Sequence, residues 1–352
     1  MKKRWFIVAP VFLFSLFVWF LWPRGVPENA AGSARPQAAQ RLQTGAENLR
    51  QAKTLSDSKT AFVEVRAALR LMDTDEARDW IMAQWRGGED FATKLDLTLD
   101  SRQNLSGWPS FRTFLLDMLF QVDPEAAAVV SKDLLGTSES PDEWAVAMRN
   151  LGRVDSHDEL LKSKVAELLQ RKDWQRDPSA GYLEAFDVIV HTRHTALAPD
   201  LLANCDAQDE KAVRHASYLT LDRLILAAPE QVLPELAKNA SQHPRSGLMI
   251  SNMIARADVR SAVQRQALET YLLDPKRTAE ELRGFASVFP NGNIAVSDNL
   301  LTRVATINGE ELALKDRASL ETVAAWLADP RFAKLEVMLR QSYNRLLGFL
   351  ER

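Results

Sequence analysis

Three side chains that could bind a metal ion lie on one predicted helix of the chain. Asp187, His191 and His194 fall at i, i+4 and i+7 of a helix expected to begin near Gly181, so all three could project from one face. The apolar residues of the same helix, Leu183, Phe186, Ile189 and Val190, predict a buried stripe that turns Glu184, Asp187, His191 and His194 towards solvent. We therefore expect a solvated polar face, with a metal site as the alternative.

The common catalytic motifs do not occur in this sequence. It contains no His-Glu-x-x-His, no Gly-x-Ser-x-Gly, no phosphate-binding glycine loop and no dinucleotide-binding fingerprint. We predict no catalytic residues and no cofactor, and we favour a non-enzymatic role. A helical enzyme that uses carboxylates unmarked by any motif stays open as the alternative.

Two tryptophans stand next to helix ends and could line a binding groove. Trp108 precedes Pro109, and Trp174 precedes the pair Asp177-Pro178. Indole rings are common in protein-binding sites because they offer a large apolar surface together with an N–H donor. Packing in the core is the simpler interpretation of both residues.

The N-terminal stretch from Trp5 to Trp22 predicts a membrane anchor. Its 18 residues carry no charge, and as a helix they would span roughly 27 Å, close to the hydrocarbon thickness of a bilayer. Lys2, Lys3 and Arg4 precede the segment, which favours a cytoplasmic N-terminus and an extracytoplasmic, for instance periplasmic, remainder. The aromatic residues expected to contact lipid or the headgroup zone are Trp5, Phe6, Phe12, Phe14, Phe17, Trp19 and Trp22.

The anchor divides the chain into four predicted segments. They are a cytoplasmic N-terminus at 1–4, a transmembrane signal-anchor helix at 5–22, a flexible linker at 23–40 that is rich in Pro, Gly, Ala and Ser, and a helical domain at 41–352. A cleaved signal peptide is the alternative, because Ala30, Ala31 and Ala34 could form a peptidase site.

Charge and cysteine content limit the partners. The formal net charge is −3, and it becomes −6 when Lys2, Lys3 and Arg4 are left out, so we expect no binding to nucleic acid. Cys205 is the only cysteine, which excludes an intrachain disulfide and a cysteine-based zinc site.

Helix start and stop signals recur along the domain and predict an all-α fold. Asp73 followed by Glu76 marks one start, and Gly87-Gly88 marks the end of the same helix. Ser140 with Glu143 and Ser156 with Glu159 match the capping box. The stretch Lys94 to Asp100 alternates leucine with polar residues and predicts a short strand, the one exception.

Residues 209–272 resemble a HEAT-type helical repeat. The block Lys211 to Leu221, KAVRHASYLTL, carries the Val-Arg, the following Ala and the downstream Leu of the inner helix in that family, and Ala228-Pro229 opens a second helix. Ala262 to Leu268 repeats the pattern in part. The resemblance implies an α-solenoid of stacked helical pairs that serves as a protein-binding scaffold.

Together these features predict a membrane-anchored, extracytoplasmic scaffold that binds a protein or peptide partner. The alternative from another class is a helical hydrolase or lyase of the cell envelope.

Overall fold

The computed structural model describes residues 28–207, 210–293, 299–303 and 308–350. Helices make up about 75% of it, and the two short strands are almost the whole of its extended structure. The all-α prediction is therefore confirmed. Of the predicted anchor residues, none lies within the described range, and no helix inside that range is long and apolar enough to cross a membrane.

The α-helices follow one another closely, with short connections. In chain order they are α1 Glu28–Gln51, α2 Leu55–Leu69, α3 Thr74–Gly87, α4 Phe111–Val122, α5 Pro124–Thr137, α6 Pro141–Val154, α7 Glu159–Gln170, α8 Lys172–Arg176, α9 Ala180–Glu184, α10 Asp187–His191, α11 Ala198–Asp206, α12 Lys211–Ala227, α13 Pro229–Asn239, α14 Gly247–Ile254, α15 Ala262–Leu272, α16 Ala279–Val288, α17 Gly309–Ala328 and α18 Glu336–Leu350. Short 3-10 helices occupy Thr195–Leu197, Ala240–Gln242, Pro244–Ser246 and Pro330–Leu335.

Part of the segment predicted as a flexible linker, 23–40, lies within the described residues. Helix α1 begins at Glu28, so residues 28–40 are helical rather than irregular. Pro23, Gly25 and Pro27 precede this start, and Gly32 and Pro36 lie within the helix, where the remaining residues include many Ala, Gln and Arg, which are good helix formers. The composition of this segment does not distinguish a helix from a linker, because alanine is common in both.

The predicted strand is shorter than its leucine alternation suggested. Strand β1 covers only Thr98–Leu99 and pairs antiparallel with β2, Leu105–Gly107. Lys94 has a positive φ of 66°, which interrupts an extended conformation before β1. Between the strands, the carboxylate of Asp100 accepts hydrogen bonds from the backbone N–H groups of Arg102 and Asn104, which fixes the turn.

The chain forms two compact units. Of the described residues, the first unit comprises those up to Leu95 together with Pro109–Ala127, and the second comprises Asp96–Trp108 together with those from Ala128 onward. In the first unit α1 packs on α2 and α3 packs on α4. Its core includes Phe62 and Phe114, whose ring centroids lie 4.6 Å apart. Burial of such rings removes a large apolar area from water and stabilises the unit.

The second unit is built from helices that pack in pairs. The main pairs are α6 with α9, α11 with α12, α13 with α15, α14 with α16, and α17 with α18. Each helix contributes an apolar face: Val213, Leu221 and Leu224 of α12 are all at most 4% exposed. A short amphipathic helix gains most of its stability from such packing, so the pairs hold each other in place.

Candidate functional site

Asp187 is buried, not solvated. Its side chain is at most 4% exposed, and its Oδ2 accepts hydrogen bonds of 2.7 Å from the backbone N–H groups of Leu301 and Thr302. Oδ1 accepts a hydrogen bond from the Thr302 hydroxyl and another of 3.1 Å from the Arg223 guanidinium. Asp187 thus fastens residues 301 and 302 to α10, and the expectation of a solvated polar face is wrong here.

The predicted metal triad is not assembled. The single helix assumed for Asp187, His191 and His194 is broken, because α9 ends at Glu184, α10 ends at His191, and Arg193 has a positive φ of 49°. The i, i+4, i+7 spacing therefore does not place His194 beside the other two.

The two histidines have separate surroundings. Nε2 of His191 lies 3.0 Å from the carbonyl oxygen of Gly152 and donates a hydrogen bond to it. Burial, with a contribution from nearby Lys162, lowers the pKa of His194. No group of three or more His, Cys, Asp or Glu side chains in the described part of the chain is arranged to hold a metal ion.

Glu184 is the acid whose ionisation the surroundings change most clearly. Burial, reinforced by the negative charge of Asp187 and partly offset by Arg223, raises the pKa of Glu184 to about 7. This carboxyl group is therefore close to half protonated at neutral pH.

Both tryptophans proposed for a groove are buried. Trp108 is 2% exposed and Trp174 is 7% exposed. Trp174 makes an edge contact with Trp144 at 5.2 Å between ring centroids, and the Arg171 guanidinium lies 3.9 Å from its ring centroid. Both tryptophans therefore have the low exposure expected from packing in the core, which is the simpler of the two interpretations of the sequence.

The second unit contains an open cavity of about 660 Å³ at the junction of α11, α12 and α14. This volume falls within the range of about 300–1,000 Å³ that is usual for ligand sites. The described residues that line it are Cys205, Asp206, Ala207, Lys211, Arg214, His215, Tyr218, Arg245, Ser246 and Met249. We call this the basic cavity, since three of these side chains are cationic and one is anionic.

The local helix geometry explains how these residues come together. Lys211, Arg214, His215 and Tyr218 fall at i, i+3, i+4 and i+7 of α12 and therefore share one face of that helix. At the end of α11, Asp206 Oδ1 accepts a hydrogen bond of 3.0 Å from the backbone N–H of Ser246. That bond ties the 3-10 turn Pro244–Ser246 to α11.

The cations of the basic cavity are available to a ligand. Arg214 is half-buried, whereas Lys211 and Arg245 are exposed, and none of them forms an ion pair with a residue that the structure describes. The first turn of α12, which begins at Lys211, adds the positive end of a helix dipole. The arrangement suits an anionic group.

The remainder of the lining is less polar. The rings of His215 and Tyr218 are stacked with centroids 6.5 Å apart, and the partly buried side chain of Met249 lies at the same cavity. Burial raises the pKa of Cys205 to about 12, so its thiol is neutral and adds no negative charge. A ligand that carries both an anionic and an apolar part would match this lining.

Neither a family model, nor a curated protein, nor a solved structure matches the chain.

Sequence reasoning missed the basic cavity although part of its signal was visible. Lys211, Arg214 and His215 stand in the block that carries the HEAT resemblance, and their spacing already places them on one helix face. Arg245 follows 30 residues later, after another helix, and no spacing rule links it to them. Only the packing of α11, α12 and α14 brings the three cations to one cavity.

Proposed function

We propose that this chain is a membrane-anchored α-helical repeat scaffold whose helical domain lies outside the cytoplasm and binds a protein or peptide partner. The observation that carries the proposal is the basic cavity, in which Lys211, Arg214 and Arg245 form no ion pair with any described residue. Charges that share a concave surface and have no ionic partner among the described residues are typical of recognition sites.

The repeat architecture is supported by where the helices fall. Helices α12 and α13 cover the two segments in which the sequence resembles a HEAT-type pair. Nearby, α13 packs on α15 and α14 packs on α16, so each contact joins helices two apart in the chain, as equivalent helices of neighbouring stacked units would. We propose a HEAT-like α-solenoid on this basis.

The anchor is supported by sequence alone. The uncharged segment Trp5 to Trp22 lies outside the described residues, and the cations Lys2, Lys3 and Arg4 favour retention of the N-terminus in the cytoplasm. A protein tethered in this way presents its binding surface near the membrane, where the effective concentration of a membrane-bound partner is high.

Site-specific photocrosslinking in the intact host cell tests the binding role. A photoreactive amino acid replaces Met249, which lines the basic cavity, and in a matched control it replaces Val337, which is 87% exposed on α18. We expect a discrete crosslinked adduct from position 249 and none of that mass from position 337. Equal adducts from both positions, or none from 249, would overturn the proposed role of the cavity.

The enzymatic alternative finds less support in the same cavity. Most glycoside hydrolases use two carboxyl groups on opposite sides of the bond that is cleaved. Among the described lining residues only Asp206 carries a carboxyl group, and Ser246 already donates a hydrogen bond to it. A hydrolase or lyase would therefore depend on acids elsewhere in the chain.

A further inference from the structure

We infer that the basic cavity binds a carboxylate group of a peptide, supplied by an acidic side chain or by a free C-terminal carboxylate. The inference rests on the proposed function, because it names the chemistry of the partner at the same cavity. It specifies the charged group of the peptide that the cavity recognises and the kind of peptide residue that lies beside that group.

The cations define the charged group. Arginine offers a planar fork of N–H donors that matches the two oxygens of a carboxylate, and charge-assisted bonds of this kind are about twice as strong as neutral ones. Arg214 and Arg245 reach the cavity from different helical segments, α12 and the turn Pro244–Ser246. Lys211 adds a third positive charge at the N-terminus of α12.

The acid present in the cavity does not neutralise these cations. Asp206 has one carboxylate oxygen bonded to the Ser246 backbone, and its other oxygen lies 4.0 Å from Nδ1 of His243. It forms no ion pair with Lys211, Arg214 or Arg245. Among the described lining residues, three positive charges therefore face one negative charge that is already engaged, and a ligand carboxylate reduces this excess of positive charge.

The apolar part of the lining favours a peptide over a bare inorganic anion. The stacked His215 and Tyr218 rings offer a flat surface, and the flexible thioether of Met249 adapts to the shape of an adjacent side chain. A cavity of about 660 Å³ is far larger than a single carboxylate needs. An apolar or aromatic residue next to the carboxylate fills the remaining volume.

The net charge of the whole protein disfavours an extended polyanion. The chain has a formal net charge of −3, so a nucleic acid strand would meet repulsion beyond the cavity. A single carboxylate on a short peptide is attracted by the local cations without that cost. The basic cavity is thus a local excess of positive charge, among the described lining residues, on a protein that is acidic overall.

The test uses the full-length chain in detergent and measures the binding of three fluorescent hexapeptides by anisotropy. One contains Glu-Phe-Glu and has both ends blocked, one contains Gln-Phe-Gln with a free C-terminal carboxylate, and one contains Gln-Phe-Gln with both ends blocked. We expect the first or the second to bind at least about tenfold more tightly than the third. Preference for the first identifies a side-chain carboxylate, and preference for the second identifies the chain terminus.

Variants separate the cavity from general charge effects. Arg214→Gln and Arg245→Gln should each weaken the binding of the preferred peptide about tenfold. Arg283→Gln removes an equally positive, exposed side chain of α16 outside the cavity and should leave affinity within about twofold. Circular dichroism checks that each variant stays helical, and a fall in wild-type affinity with rising salt gives a measurement that needs no variant.

Several results would overturn the inference. They are equal binding of all three peptides, binding of none of them, and competition by inorganic phosphate at an affinity that exceeds that of both carboxylate peptides. Failure of the proposed function is distinguishable from these results. If the crosslink from position 249 forms with unchanged yield in Arg214→Gln and Arg245→Gln, a partner does bind at the cavity. In that case the proposed function stands and only the inference of a bound carboxylate fails.

Discussion

Individual charged residues in the second unit serve two different purposes. Asp187 has its carboxylate oxygens occupied by Leu301, Thr302 and Arg223, and this use is structural. Arg214 and Arg245 have no described acidic partner and face a cavity. Burial and pairing, not residue type, therefore separate the charges that hold the fold from those available for binding.

At this scale Glu184 makes stability depend on pH. The pKa of its carboxyl is about 7 in the folded chain against 4.5 for an unperturbed group, so the folded state binds the proton more tightly than the unfolded state. Its contribution to stability is full below pH 4.5 and is lost as the pH rises through 7.

We predict that Glu184→Gln removes this loss of folding stability at high pH. At pH 8 the variant should be more stable than the wild type by about 1–3 kcal/mol, and the difference should shrink towards pH 5. Urea unfolding at both pH values measures it. The exposed Glu321→Gln on α17 is the matched control and should show no such pH-dependent gain, whereas a Glu184→Gln variant that is less stable at pH 8 would contradict the assignment.

Individual helices show how far local patterns determine structure. For α3 the sequence predicts both ends: Asp73 accepts a hydrogen bond of 2.8 Å from the Glu76 backbone N–H, and Gly88 ends the helix with a φ of 72°. The cap at Ser140 is also confirmed. These signals are local, since a cap or a left-handed glycine acts within one helical turn.

Local sequence patterns do not predict the role of a side chain whose hydrogen-bond or ion-pair partner is distant in the sequence. The predicted cap at Ser156 is wrong: Asp158 caps α7 instead and pairs with Lys132 at 2.8 Å. The error at Asp187 has the same origin, because its partners Leu301 and Thr302 lie more than a hundred residues away. The basic cavity depends in the same way on Arg245, which no spacing connects to α12. Sequence therefore predicted the fold class and many helix ends but not the site.

At the scale of elements, we predict that Asp187 controls the order of the segment bound to α10. Replacement by alanine removes the acceptor for the Leu301 and Thr302 N–H groups and leaves the largely buried Arg223 without its carboxylate. Hydrogen exchange of these two amides should speed up at least about tenfold, which mass spectrometry of the peptide that contains them can measure.

Glu321→Ala, in which an exposed carboxylate of α17 is removed, serves as the control and should leave exchange at positions 301 and 302 unchanged. Unchanged exchange in Asp187→Ala as well would show that other contacts hold the segment.

For the whole molecule, the proposed tether predicts both membrane attachment and topology. The full-length chain should stay with the membrane after alkaline carbonate extraction, and a chain that lacks residues 1–22 should be released. Protease added to cells whose outer barrier has been opened should digest the helical domain. Protection of that domain until the cytoplasmic membrane is lysed would contradict an extracytoplasmic location.

The most direct test of the account is the charge dependence of photocrosslinking from position 249 in the full-length, membrane-bound protein. We predict a discrete partner adduct in the wild type and in Arg283→Gln, and its loss in the double variant Arg214→Gln, Arg245→Gln. The wild type, Arg283→Gln and the double variant must be present in the membrane at equal levels. No adduct from position 249 in the wild type, or an undiminished adduct in the double variant, would contradict the claim that a partner binds in the basic cavity through its cations.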